Sequence, residues 1–287
     1  ENSSAPVAIP DFTRKFDKKW SAAVGAEINY VGLELQKNLQ MKMPVETPVE
    51  TKIATIDGTT QIEGESYALG WNAAANYAFD DKNEIGVVYR SRIKHSLEAD
   101  LKGYNTKPDL MGSGDVFGNA YGVVTLPDSW DIGYNHKFDK KTRLELKATR
   151  TNWSTYDALN VYFDKSLVGI PGIAESSPSA KNWSNGWRYA IGLEHNFSDK
   201  YAAMAGFAFD ESSIPYNGGD FMVPTGLRRT YSIGARYNDK KQTVAVALGW
   251  MDVGNLDFAG HATDAYKSAH AYDSFTKIAS ISYQRKF

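Results

Sequence analysis

Trp187-Arg188-Tyr189-Ala190-Ile191-Gly192-Leu193-Glu194-His195-Asn196-Phe197 runs straight into Ser198-Asp199-Lys200, and this stretch decides the class of fold. One set of alternate positions reads Trp187, Tyr189, Ile191, Leu193, His195 and Phe197; the other reads Arg188, Ala190, Gly192, Glu194 and Asn196. A repeat of two is the mark of a strand, whose successive side chains leave opposite faces. The bulky face is bounded by aromatic residues at both ends, while the opposite face is small or polar. A strand placed between hydrocarbon and a wet lumen needs this division. A soluble sandwich strand also alternates, but it is nearer 5–6 residues long and turns its bulky face inward.

The pattern recurs along the chain. Tyr67, Leu69, Trp71, Ala73, Ala75, Tyr77 and Phe79 alternate with Ala68, Gly70, Asn72, Ala74, Asn76 and Ala78. Val244, Val246, Leu248 and Trp250 alternate with Ala245, Ala247, Gly249 and Met251. Five short polar turns each follow an aromatic residue: Phe16-Asp17-Lys18-Lys19, Phe79-Asp80-Asp81-Lys82, Phe138-Asp139-Lys140-Lys141, Phe197-Ser198-Asp199-Lys200 and Tyr237-Asn238-Asp239-Lys240. Asp, Asn and Ser open tight turns by accepting backbone hydrogen bonds. Longer polar stretches lie near 39–62, 102–117, 164–184, 211–225 and 255–272. Short turns alternating with long loops fit a barrel with a tight periplasmic rim and an elaborated outer one. Turn aromatics 63, 59, 59 and 40 positions apart lack the constant period of a solenoid.

Eleven strands are predicted, near 5–16, 20–38, 63–79, 84–101, 118–138, 142–163, 185–197, 201–213, 226–238, 242–254 and 273–287. The fold expected is all-β, a single transmembrane antiparallel β-barrel domain over residues 1–287. Single-chain bacterial barrels have even strand numbers, and an open edge in lipid leaves backbone groups unsatisfied. An odd number of preceding strands is therefore expected outside this sequence. The end of the chain, Ile281, Tyr283 and Phe287 alternating with Ser280, Ser282 and Gln284, reads as a natural terminal strand.

Composition narrows the classes further. Apolar residues form 42% of the 287, mean hydropathy is −0.44, and no run approaches the ~20 apolar residues of a spanning helix. A helical membrane protein is excluded; a barrel, with only alternate residues facing lipid, is not. A net charge of −2 argues against a nucleic-acid partner. With no cysteine, thiol catalysis and disulfides are absent. Glu1 opens a polar run instead of a signal peptide, so the chain reads as processed or trimmed.

Candidate chemistry concentrates on the strand from Glu84. Ile85, Val87 and Tyr89 take one face, and Ser91, Ile93, His95 and Leu97 continue it outward, which sends Gly86, Val88, Arg90, Arg92, Lys94 and Ser96 toward the lumen. Arg188 and Arg236 are also inward by alternation. Such cations beside small lumenal residues could hold a carboxylate head group through charge-assisted bonds. The alternative is a lumen network balanced by Glu27, Glu145 and Glu194. Met204 and Gly206, with Ala190, Gly192 and Ala247, offer the small or apolar surface an alkyl tail needs. His136 and His195 each stand two residues before a turn aromatic, which reads as membrane interface rather than metal or catalysis. Ser154 and Ser282 lack a His or acid at a telling spacing, and Gly112, Gly114 and Gly118 precede no helix. No catalytic residue, metal or cofactor is expected.

Several segments resemble the long-chain fatty acid transporter family of the outer membrane, the FadL/TodX type. Leu126-Pro127-Asp128-Ser129-Trp130-Asp131-Ile132-Gly133-Tyr134 is similar to the family's Leu-Pro-x-x-Trp segment. Thr151-Asn152-Trp153-Ser154-Thr155-Tyr156 is similar to its Trp-Ser strand, and Ala205-Gly206-Phe207-Ala208-Phe209-Asp210-Glu211-Ser212-Ser213-Ile214-Pro215 to its Gly-aromatic-Ala-aromatic-Asp run before Pro. Trp20-Ser21-Ala22-Ala23-Val24-Gly25-Ala26 fits the same frame. The resemblance implies a fourteen-stranded barrel with an N-terminal hatch, so three strands and the hatch would complete the eleven. It implies a monomer among outer-membrane lipid and lipopolysaccharide that takes up fatty acids or other hydrophobic small molecules passively and releases them through an opening in the wall. The stretches 39–62 and 102–117 lack the long apolar helices of the family's capture groove, and the first carries the tandem Pro44-Val45-Glu46-Thr47-Pro48-Val49-Glu50-Thr51. A general diffusion porin, a lipase-like barrel enzyme and a structural or adhesion barrel remain as alternatives.

Overall fold

A computed structural model describes residues 3–8, 11–46, 51–105, 115–164, 176–216, 226–259 and 268–285. β1 (Ser3–Ala8) and β2 (Asp11–Lys15) both pair with β3 (Trp20–Glu46), which pairs along its whole length with β4 (Thr51–Ala78). β5 (Asn83–Arg90) and β6 (Ile93–Asn105) lie end to end along β4. β7 (Asp115–Leu126) pairs with β6, and β8 (Ser129–Lys137) with β5. β9 (Thr142–Thr151) pairs with β8, and β10 (Ala158–Phe163) with β7. β11 (Ser176–Ala180) adds to β10. β12 (Gly186–Asn196), β13 (Tyr201–Asp210), β14 (Arg228–Asn238) and β15 (Gln242–Val253) then continue from β9. β16 (Leu256–Ala259) and β17 (Ser268–Ala271) form a separate hairpin, and β18 (Ser274–Arg285) closes the series against β15.

Every pairing is antiparallel, and the wall strands follow one another in chain order. Taking the end-to-end pairs β1/β2, β5/β6, β7/β8 and β9/β10 as single strands, eleven strands build the wall among the described residues, as the alternation predicts. The chain is an antiparallel transmembrane β-barrel wall. Among the described residues β1/β2 and β18 are its two edges and do not pair with each other.

One device closes all five short turns. Asp17 Oδ1 accepts from the N–H groups of Lys19 and Trp20, both at 2.7 Å. Asp80, Asp139 and Asp239 do the same for the residues two and three ahead, at 2.7–2.8 Å, and Ser198 Oγ does so at 3.3 Å. These backbone donors hold the carboxyls of Asp17, Asp139 and Asp239 below their ordinary pKa; at Asp80 the Asn83 side chain leads and the backbone adds to it. By the general plan of such barrels this rim is periplasmic.

Directly opposed residues share a face, so the ladders carry the alternation around the wall. Trp20, Val24, Ile28, Leu69, Trp71, Ile132, Leu146, Ile191, Leu193, Ile233 and Leu248 form an exposed apolar exterior. Aromatic pairs mark its two borders, such as Trp20–Tyr77 at 4.5 Å and Tyr89–Trp130 at 4.7 Å between ring centres.

The structure corrects the sequence reading in three places. The stretch 39–62 is not a loop: β3 runs to Glu46 and β4 starts at Thr51 in one unbroken register from Trp20↔Tyr77 to Glu46↔Thr51. Its polar residues mark a hairpin standing clear of the membrane, not an end of pairing. The stretches 164–184 and 255–272 contain β11 and the β16–β17 hairpin. Parts of 102–117, 164–184, 211–225 and 255–272 lie outside the described residues.

The third correction concerns facing. Trp71 exchanges two bonds with Ser91, its N–H donating to Ser91 Oγ and its carbonyl accepting from Ser91 N–H, each at 2.8 Å. Glu65 pairs with Glu98. Five residues of β4 therefore lie opposite six of the neighbouring strand, a one-residue bulge. A one-residue shift turns every later side chain over. Ile93, His95 and Leu97, expected outward, are buried inside, while Lys94 and Ser96, expected in the lumen, are exposed on the outer surface. Beyond the bulge Glu98, Asp100 and Lys102 also face out, and Ile62, Ala99, Leu101, Ala120 and Val161 form an apolar interior. Polar outside and apolar inside is the arrangement of a wall that has left the bilayer.

Candidate functional site

Three neighbouring strands are interrupted together. β5 yields to β6 at Ser91–Arg92, β7 to β8 at Pro127–Asp128, and β9 to β10 at a 3-10 turn over Trp153–Thr155. Pro127 offers no N–H to a ladder, and Asp128 supplies other bonds. Its main-chain oxygen accepts from Asn152 N–H at 3.0 Å and one carboxylate oxygen from Asn152 Nδ2 at 2.7 Å. The other carboxylate oxygen accepts from Arg92 Nη2 at 2.9 Å and Nε at 3.2 Å. Arg92, expected as a ligand cation, ties this break together and is neutralised there. Inside the same region His95 is fully buried, with Nε2 3.1 Å from Asn29 Oδ1.

Among the described residues three lumenal carboxylates are each shared by two cations. Asp131 meets Arg90 and Lys147, the latter at 3.0 Å, and accepts from the Thr149 hydroxyl at 2.6 Å. Glu194 meets Arg236 at 2.7 Å and Arg143 at 2.9 Å. Asp210 meets Arg228 at 3.4 Å and Arg188 at 4.0 Å. Register makes these pairs: Arg143 stands directly opposite Glu194, and Asp210 opposite both Arg188 and Arg228. Each centre pairs two cations with one carboxylate, and Glu145 adds a second carboxylate beside the Glu194 centre.

Beside the Glu194 centre the lumenal face is small. Gly192, Met204, Gly206, Ser232, Gly234 and Ala247, from β12 to β15, line a concavity of about 310 Å³ with Arg143, Glu145 and Glu194 at its rim. A Cβ added to Gly192 would meet no atom within 4 Å. That glycine leaves open space and does not serve close packing.

A sequence profile described as outer membrane protein transport protein (OMPP1/FadL/TodX) matches residues 11–287. The chain belongs to the OMPP1/FadL/TodX family. It is 25% identical over 207 residues to the long-chain fatty acid transport protein of Escherichia coli K12, covering 68% of this chain and 45% of that protein. Its fold is similar to that of a Pseudomonas aeruginosa FadL homologue, with TM-score 0.78, 17% identity, and coverage of 96% of this chain and 65% of that one. It is similar also to the toluene transporter TodX of Pseudomonas putida, with TM-score 0.61, 15% identity, and coverage of 100% and 69%. The chain spans about half the length of the curated relatives it matches.

In this FadL/TodX-type wall the expected site residues separate. Met204 and Gly206 line the groove, and Arg236 meets it through Glu194 on the rim, at 2.7 Å. Arg90 and Arg188 stand at the Asp131 and Asp210 centres, Arg92 at the break, and Lys94 on the opposite surface. Of the glutamates expected to balance them, Glu194 does so, Glu145 sits on the groove rim, and Glu27 accepts from Asn29 at 3.3 Å. Sequence reasoning missed Asp128, Asp131, Arg143, Lys147, Asp210 and Arg228. Alternation does put Asp131, between lipid-facing Trp130 and Ile132, on the lumenal side; what it hides is the partner one strand away.

Proposed function

We propose that this protein carries hydrophobic small molecules passively across the outer membrane, with long-chain fatty acids as its main cargo. The carboxylate head group meets the Arg236–Glu194–Arg143 centre, and the alkyl tail lies along Gly192, Met204 and Gly206. The observation that carries this reading is the pair of guanidinium groups, Arg143 and Arg236 on Glu194, at the rim of an open groove of small residues. An ionised head group accepts charge-assisted bonds from these guanidinium groups, whereas a neutral hydrocarbon does not. Arg90 and Arg188, ion-paired at Asp131 and Asp210, serve as further contacts along the lumen. Met204 is unbranched and adapts to different tails. Membership of an outer-membrane transport family supports the cargo class, as do the relatives named for fatty acids and toluene. In this reading three further strands and a hatch complete the barrel, which acts as a monomer.

The test is uptake by the full-length protein in cells without a fatty acid transporter. Labelled oleate should enter, and Arg236→Gln should slow oleate without slowing toluene. Ohmic ion conductance in planar bilayers with no oleate uptake would make the protein a diffusion porin, and ester hydrolysis in detergent would make it an enzyme.

A further inference from the structure

Toward the outer end, four charged side chains break the apolar parity of the lipid-facing surface: Arg150 on β9, Arg229 on β14, Asp252 on β15 and Lys277 on β18. They lie at one level. Arg150 is eight residues up its strand from Thr142, Arg229 nine from Asn238, and Asp252 ten from Gln242, while Lys277 stands opposite Trp250. With a rise of about 3.3 Å per residue and a tilt of roughly 40°, that is some 20–25 Å above the periplasmic ends, the upper border of the apolar band. A cation on the lipid face is costly at the midplane and tolerated at the border.

The cations here are backed chiefly by rings. The Arg150 guanidinium lies 5.2 Å over Trp187, and Lys277 Nζ lies 5.6 Å from Trp250 and 5.8 Å from Phe275. Arg229 meets Asp252 at 3.3 Å, with both side chains close to half exposed. The band therefore keeps two net positive charges. Arg229 and Lys277 are two strand spacings apart, about 10 Å, and Arg150 is three spacings to the other side, about 14 Å. A row of separated cations fits a head group with more than one phosphate better than a single phosphodiester. Head groups of the outer leaflet lie at this level.

We propose that Arg150, Arg229 and Lys277 form a binding site for the phosphate groups of lipopolysaccharide, with Trp187, Trp250 and Phe275 against its sugar–acyl boundary. The site is independent of the lumen and of its cargo. The experiment titrates bis-phosphorylated lipid A onto the full-length protein in detergent and counts bound lipid by native mass spectrometry. Folding is checked by heat-modifiable migration. Replacing all three cations by Gln removes three positive charges and should weaken binding about 150-fold, at the value of each cation near a membrane surface. Arg14→Gln, near the periplasmic border with its guanidinium 5.4 Å over Phe16, should leave binding unchanged. Dephosphorylated lipid A should bind the unaltered protein as weakly as the triple variant binds the phosphorylated form. Should the triple variant fail to fold, Lys277→Gln alone should weaken binding about fivefold. Unchanged affinity in a folded triple variant overturns the proposal. Equal affinity for phosphatidylglycerol, lost in the same variant, also overturns it and assigns the band to phospholipid.

Discussion

Replacing Gly192 by Leu tests the groove directly. A Cβ at this position meets nothing within 4 Å and the residue lines the concavity of about 310 Å³, so the new side chain enters the groove without displacing its walls. Leucine adds four carbons, on the order of 100 Å³ if each takes about the space of a water molecule, roughly a third of the volume. About three methylenes of a bound tail lose their place. At ~0.8 kcal/mol each the loss is about 2.4 kcal/mol, or roughly fiftyfold in affinity. Folding should not suffer, because glycine inside a strand is itself unfavourable by roughly 0.5–1 kcal/mol relative to alanine. The assay is equilibrium titration of full-length protein with oleate and with octanoate, alongside heat-modifiable migration. Oleate should lose about fiftyfold and octanoate less, because a shorter tail leaves part of the groove empty. A folded variant with unchanged oleate affinity would show that the tail lies elsewhere.

Three further outcomes follow from the same structure. Glu194→Gln leaves Arg143 and Arg236 without their shared anion; a fully buried case costs about 3–5 kcal/mol, but these guanidinium side chains are 46% and 30% exposed, and screening reduces the loss to about 1–2 kcal/mol. Urea unfolding in lipid vesicles should show that cost and a coupling with Arg236→Gln, and strictly additive single variants would remove the ion pair from the account. Asp139 has its pKa lowered by the N–H groups of Lys141 and Thr142, so its stabilisation is present above the unfolded value near 3.8 and is lost as pH falls through the lower folded value. Asp139→Ala should therefore unfold more easily at neutral pH and approach the unaltered protein in strong acid, while a constant difference across that range would deny the carboxylate its role. For the inverted facing beyond the bulge, cysteine at Asp100 should react with an impermeant maleimide on intact cells, and cysteine at Leu101, 1% exposed, should not. The chain has no cysteine of its own, and a reversed pattern would place the bulge elsewhere.

The strand beginning at Trp187 shows how much of the fold is written locally. Its alternation, its bordering aromatics and the Ser198 turn predict a hairpin, and β12, Phe197 and β13 stand as read. The same signals place eleven strands and five turns, because each depends on residues adjacent in the chain. The groove was partly legible too: Gly192, Met204, Gly206 and Ala247 share a lumenal parity, and β12 to β15 run without a bulge. The strand from Glu84 shows the other side. Ile93, His95 and Leu97 alternate with Lys94 and Ser96 as regularly as before, so nothing local announces that the face has changed. One extra residue opposite β4 decides it, through bonds between Trp71 and Ser91. The lumenal cations were likewise visible as types, but Asp131, Asp210 and Asp128, which neutralise part of their charge, come from neighbouring strands up to 41 positions away. By itself, then, the sequence determined the alternation, the turns and the class of wall, since these are properties of a single strand and its ends. Which face a strand presents and which charge meets which were decided only in the tertiary structure, because both depend on register, and register is set by hydrogen bonds between segments far apart in the chain.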